Sequence, residues 1–219
     1  MILKKKLFAV ILIIMLLCVT LLSGCASFDR SAYVQAALDS LYKGEHTLFS
    51  EITKTDVSVL EQNYEEAIDA EMESFLTYMG IADYASYISE ETRSDIRLLI
   101  RDVYSHASYS VGSEDENGTV TVRILPIDLY SATNSALTAY MDDFFEKNDA
   151  HEFSELTDEE FYTQYITGIV DILRKSLDDI TYTSEVSIPV DIEVTDHNVY
   201  SISQQSLDDI DSHIINYNF

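Results

Sequence analysis

An uncharged run, Leu7 to Leu22 (LFAVILIIMLLCVTLL), divides this chain into two parts that cannot share one fold. Lys4, Lys5 and Lys6 precede it, and the small residues Ser23 and Gly24 come directly after it. A basic start, an apolar core and small residues at its end have the layout of a secretory signal peptide over residues 1–24. A membrane-spanning anchor needs about 20 apolar residues, so the run is short for one. Either way the lysines stay in the cytoplasm and the acidic remainder of the chain is exported.

The four residues that close this stretch, Leu22-Ser23-Gly24-Cys25, resemble the lipobox of bacterial lipoproteins. The resemblance implies a diacylglycerol on the Cys25 thiol and cleavage before it, so that Cys25 becomes the first residue. Two acyl chains are what stable anchoring requires, since each buried methylene contributes about 0.8 kcal/mol and a single chain holds only marginally. The expected location is the outer, extracytoplasmic face of a cell membrane. Residues 25–31 would then be a short lipidated tether, and residues 32–219 one acidic domain.

Loss of residues 1–24 removes three of 13 basic side chains and none of the 39 acids, leaving a formal charge of −29. A chain that acidic repels phosphates instead of releasing counterions, so nucleic acid is excluded as a partner. It also repels anionic headgroups, which holds the domain off the bilayer. Cationic proteins or divalent ions fit such a surface, although solubility alone explains it. Cys18 leaves with the signal and Cys25 takes the lipid, so the exported domain has no disulfide and its apolar core must hold it unaided. With 47% apolar residues the chain has the material for that core.

The chain after the tether reads as helices interrupted by two hairpins. Asp29 or Ser31 can cap a first helix that ends at Gly44, with Val34, Ala37, Leu38 and Leu41 as its buried stripe. A short turn over Leu48 to Ile52 comes next. From Thr55 or Asp56, the residues Val57, Leu60, Tyr64, Ile68, Met72, Phe75 and Met79 step by three or four. Glu61, Glu65, Glu66, Asp69 and Glu73 take the opposite side, so this is an amphipathic helix ending at Gly80. Ile81 to Ile88 is a connector, after which Ser89 caps a helix with the stripe Ile96, Leu99, Ile100 and Val103.

At His106 the period changes to two. Tyr109 and Val111 alternate, Asp115-Glu116-Asn117-Gly118 turns the chain, and Val120, Val122 and Ile124 alternate again, which predicts a hairpin. Ala132 to Lys147 returns to helical spacing. Thr157 and Glu160 form a capping box for a helix running to about Asp179. Val186 to Val194 alternates again, Asp196-His197-Asn198 turns it into Val199 to Ile202, and Leu207, Ile210 and Ile214 mark a last helix. Ser-Leu-Asp-Asp-Ile occurs at 176–180 and 206–210, on opposite sides of a hairpin, and reads as coincidence. The expected class is α+β, with amphipathic helices packed on one four-stranded antiparallel sheet made of two hairpins.

Tyr33-Val34-Gln35-Ala36-Ala37-Leu38-Asp39-Ser40-Leu41-Tyr42-Lys43-Gly44 resembles the opening of a family of uncharacterised lipoproteins of Gram-positive bacteria, Firmicutes especially. Val186 to Ile215 is similar to that family's closing strand–turn–strand–helix, a cystatin-like or NTF2-like sheet in which a tryptophan often stands where this chain has Tyr200. The resemblance implies no activity and transfers no functional residue, and such sheets host both enzymes and binding modules.

The motifs of chemistry are weak. His46, His106, His151, His197 and His213 show no ligand spacing, so no transition-metal site is expected. Ser113-Glu114-Asp115-Glu116-Asn117-Gly118 looks like half a calcium loop, but its first position is Ser and its twelfth is Ile124 where a bidentate Glu is required, so a hairpin turn is the better reading. No Gly-x-Ser-x-Gly elbow is present. Asp142-Asp143, Asp178-Asp179 and Asp208-Asp209 are neighbours on helices and point about 100° apart, as solvated faces do. No catalytic residue, metal ligand or cofactor is expected.

Arg93, Arg97 and Arg101 form one basic stripe. It could grip an anionic partner or dock on the acidic face of the 55–79 helix, and docking is the better reading because acids abound there. Of the tyrosines, Tyr84 and Tyr87 fall off the core stripes and could form an exposed patch. The expected function is a non-enzymatic binding or envelope-assembly module with a protein or small-ligand partner. A small-ligand carrier at the cell surface and an envelope hydrolase of unrecognised type stand as alternatives.

Overall fold

The computed structural model describes residues 28–194 and 199–217. The signal, the lipobox and the Asp196-His197-Asn198 turn lie outside the described residues. Among the described residues, seven α-helices succeed one another as α1 (Arg30–Lys43), α2 (Thr47–Thr53), α3 (Val57–Tyr78), α4 (Glu90–Ser105), α5 (Leu129–Asp149), α6 (Asp158–Ser176) and α7 (Gln204–Ile214). Five strands are interspersed: β1 (Ser108–Val111), β2 (Val120–Leu125), β3 (Val186–Val190), β4 (Ile192–Val194) and β5 (Tyr200–Ile202). A 3-10 turn over Ala82–Tyr87 joins α3 to α4.

Side-chain caps set most of the helix starts. Asp29 accepts from the Ala32 amide, Asp56 from Ser58 and Ser89 from Thr92. Thr157 and Glu160 close the full reciprocal box. Each satisfies amides that the helix itself leaves without partners. At the other end of α1, Gly44 takes the left-handed conformation at φ 68°, and its amide returns to the Asp39 carbonyl.

The expected single four-stranded sheet is not formed. β1, β2 and β3 make a three-stranded antiparallel sheet with β2 in the middle, while β4 and β5 make a separate two-stranded one. The division falls at Asp191. Its amide donates to Ser206 Oγ at 3.0 Å, and its carbonyl accepts from the Ser203 amide at 2.8 Å. Two serines from the start of α7 thus take the backbone groups that a continuous ladder would use, and the strand predicted over Val186–Val194 splits into two.

Val120, Val122 and Ile124 of β2 are fully buried, as is Val190 of β3, whereas Arg123, Ser187 and Pro189 on the opposite face are exposed. α1 and α7 pack on this sheet, and α3, α4 and α6 form the rest of the core. α5 and α6 make an antiparallel pair beside it. Tyr140 of α5 fills the groove over Gly168 so closely that a Cβ there would lie 2.2 Å from its ring. Ile127 is clamped by the chain's last turn: its amide donates to the Ile214 carbonyl at 2.9 Å and its carbonyl accepts from Asn216 at 2.8 Å. With Asp128 also donating to the Thr181 carbonyl, the segment before α5 is fixed as extended chain, and α5 starts at Leu129, earlier than the expected Ala132.

Candidate functional site

The arginine stripe lies between α4 and α3. Arg93 reaches Glu73 at 3.3 Å and the Ala85 carbonyl at 2.5 Å. Arg97 reaches Asp69 at 2.5 Å and Glu90 at 2.9 Å, and Arg101 donates to Glu65. Glu65, Asp69 and Glu73 are the acidic edge of α3, spaced by four as the arginines are, so the two helices are laced by matched periodicity. Tyr84 and Tyr87, 44% and 41% exposed, both stack on Tyr162 of α6, with ring centroids 4.5 and 5.9 Å apart. The Asp115 carboxylate accepts from the amides of Asn117 and Thr119 at 2.8 and 2.9 Å, the geometry of a turn. Among the described residues, no group of three or more His, Cys, Asp or Glu side chains could hold a metal ion.

A different set of residues converges where several helices end. Glu71 projects from the middle of α3 and Asp211 from the last turn of α7, and both are half-buried. The Tyr217 hydroxyl donates to Glu71 Oε1 at 2.9 Å, and the Tyr42 hydroxyl to Asp211 Oδ1 at 3.2 Å. Neither acid has a basic partner among the described residues; the ion pairs there involve other acids.

Aromatic rings enclose the two acids. Tyr42 and Tyr104 meet edge to face at 5.5 Å, and Tyr130 lies 5.4 Å from Tyr217 and 5.0 Å from Tyr78. Tyr217 and Tyr78 stand at the rim, 36% and 39% exposed. Tyr104 is only 8% exposed.

The electrostatics result from this enclosure. Burial pushes the Asp211 carboxyl up to about 7, and the charge of Glu71 adds to the rise. Burial also raises Glu71, against the Tyr217 hydrogen bond that favours its ionised form. Tyr42, Tyr104 and Tyr217 are held well above the ordinary phenol value, first by burial and then by the two acids. The shifts of Asp211 and of the three tyrosines register the charge of Glu71.

No motif marks Glu71 or Asp211, yet a signal for both exists. Glu71 stands three residues after Ile68 and four before Phe75, and Asp211 four after Leu207 and three before Ile214. Each is an acid on an apolar helical stripe, where an acid is rarely placed without a partner.

No protein-family model and no curated protein matches the sequence. The fold is an α+β arrangement rich in helices, and it is shared with a solved structure. That structure is the crystal structure, at 2.62 Å resolution, of a "putative lipoprotein (ycdA)" from Bacillus subtilis subsp. subtilis str. 168, with a TM-score of 0.58 and 17% identity. The match covers 86% of this chain and 56% of the other, so the chain spans little more than half of that protein's length. Among the described residues, no helix is long and apolar enough to cross a membrane.

Proposed function

We propose that this chain is a non-enzymatic, extracytoplasmic binding protein, held on the outer face of the membrane by a diacylglycerol on Cys25, and that it carries a small ligand in the Glu71–Asp211 crevice. The observation that carries the reading is the convergence of two unpaired acids and the Tyr104 hydroxyl inside a wall of rings. A few polar groups set among apolar ones are what a small-molecule site requires. The lipobox and the lipoprotein description of the Bacillus subtilis neighbour support the location.

Two observations favour this over the other readings. The arginine stripe, the best candidate for a protein-facing surface, already has its charges engaged by α3. A hydrolase that divides acid and base roles between two carboxylates needs environments that separate their proton affinities. Here burial moves Glu71 and Asp211 the same way.

The test is to extract the lipidated protein from washed membranes in non-ionic detergent, denature it, and analyse the released small molecules by mass spectrometry. A double variant, Glu71→Gln with Asp211→Asn, is treated in parallel. A compound released by the native protein and lost from the variant supports the carrier; identical profiles overturn it.

A further inference from the structure

Resting on the reading of Cys25 as the lipidated residue, we propose that the end of the fold built from Phe28, the β1–β2 turn and the strands β4 and β5 is held against the bilayer by a short tether, with the opposite end, at Tyr42 and Asp211, turned to the exterior. The first described residues carry the inference. Phe28 stacks on Tyr200 of β5, with ring centroids 3.8 Å apart and planes inclined by 18°. Asp29 caps α1, Arg30 donates to Glu114 of the β1–β2 turn, and Ser31 donates to the Gly112 carbonyl at 2.9 Å. The chain is therefore tied to both strand pairs from Phe28 onward, three residues after Cys25. Three residues of fully extended chain span at most about 11 Å, so the acyl chains can leave the bilayer surface no further than that from Phe28.

Three elements run from this end of the fold to the other. The Tyr33 hydroxyl, in the first turn of α1, donates at 3.2 Å to the Tyr200 carbonyl, shortly before α7 begins. The Tyr42 hydroxyl, in the last turn of α1, donates at 3.2 Å to Asp211, in the last turn of α7. The two helices thus point the same way. β1 runs against them, with the Tyr109 hydroxyl on Asp39 and the Gly112 carbonyl on Ser31. At about 1.5 Å per residue, the 14 residues of α1 put its two ends about 20 Å apart.

Charge keeps the domain upright. Anionic headgroups repel the strongly acidic flanks, so the domain does not lie down on the bilayer. Glu114, Asp115 and Glu116 on the β1–β2 turn are repelled as well, so the tether holds this end in place and adhesion does not. Phe28 and Tyr200, both half-buried, come within reach of the headgroups, a level at which aromatic rings are favoured.

Once Cys25 is lipidated the exported chain has no other cysteine, so single thiols can be introduced and labelled one at a time. Asn117→Cys and Gln205→Cys mark the tether end, and Glu45→Cys and Ser212→Cys the far end; all four positions are exposed. Each lipidated variant is labelled with bimane and inserted from outside into preformed vesicles of phosphatidylglycerol and phosphatidylcholine that contain a nitroxide-headgroup lipid. With the ends about 20 Å apart, bimane at positions 117 and 205 should be quenched about threefold more than at positions 45 and 212. A Gly/Ser linker of about ten residues between Ser27 and Phe28 adds a reach of about 17 Å. It should lower the two tether-end signals to the level of the others at an unchanged melting temperature. Equal quenching at all four positions on the native tether, stronger quenching at the far end, or a contrast that survives the linker would overturn the proposal. Lipidated protein that is quenched evenly overturns the orientation alone; protein whose intact mass shows no diacylglyceryl group and that does not bind the vesicles overturns the anchoring and the orientation together.

Discussion

Asp211 holds a position that its helix otherwise gives to apolar residues, between buried Leu207 and Ile214. Because its folded-state carboxyl is raised to about 7, the fold keeps this proton more tightly than the unfolded chain does. The native state therefore binds more protons between pH 4 and pH 7, and stability falls as pH rises through that window and levels off above it. That rise corresponds to about 4 kcal/mol, and the solvent still reaching this half-buried side chain reduces the observable effect to about 1–3 kcal/mol. Asp211→Asn should accordingly exceed the native chain in urea resistance at pH 8 and match it at pH 4; equal midpoints at both values would contradict this linkage. Gly168 is the opposite kind of residue, fixed by space. The Tyr140 hydroxyl is tied to the carbonyls of Gln164 and Tyr165 at 3.0 Å, so the ring cannot swing away from an added methyl. Gly168→Ala should destabilise by about 1–3 kcal/mol in chemical unfolding, whereas Gly112→Ala, which meets a single carbonyl oxygen at 3.3 Å, should cost less. Nothing in the sequence around Gly168 announces this contact, because its partner lies 28 residues earlier on another helix.

Helices were the legible elements, since a 3.6-residue period, a cap and a stop are all local. The α3 stripe and the Thr157–Glu160 box are both read directly from spacing and are present in the structure. Removing the cap hydroxyl by Thr157→Ala should cost about 1 kcal/mol in thermal unfolding. The pairing of α4 with α3 was legible as one of two options, because three arginines spaced by four match three acids spaced by four. Arg97 and its partners are solvated, and such pairs contribute about 0–1 kcal/mol each. Arg97→Glu places a fourth acid beside Asp69 and should cost about 1 kcal/mol while leaving the crevice's ligand affinity unchanged; a loss of affinity at unchanged stability would make the stripe a site. Sheet pairing was not legible. Val186 to Val194 alternates without interruption, and the break at Asp191 comes from Ser203 and Ser206, whose hydrogen bonds no strand pattern records.

At the scale of the molecule, the proposed reading assigns export and anchoring to the first 25 residues, while the described remainder carries a core without disulfides that encloses two carboxylates near the C-terminal ends of three helices. The existence of the candidate site was only half legible: acids on apolar stripes could have been noticed, but their convergence depends on α1, α3, α4, α5 and α7 meeting, and on the last turn of the chain folding back to Ile127. The claim that joins location to fold is the lipid on Cys25, and the most direct measurement is the intact mass of the N-terminal peptide from membrane-extracted protein. The predicted result is a peptide beginning at Cys25 with a diacylglyceryl group on its sulfur, absent from Cys25→Ala cells. A peptide beginning at Met1, or an unmodified Cys25 thiol in the membrane fraction, would contradict it.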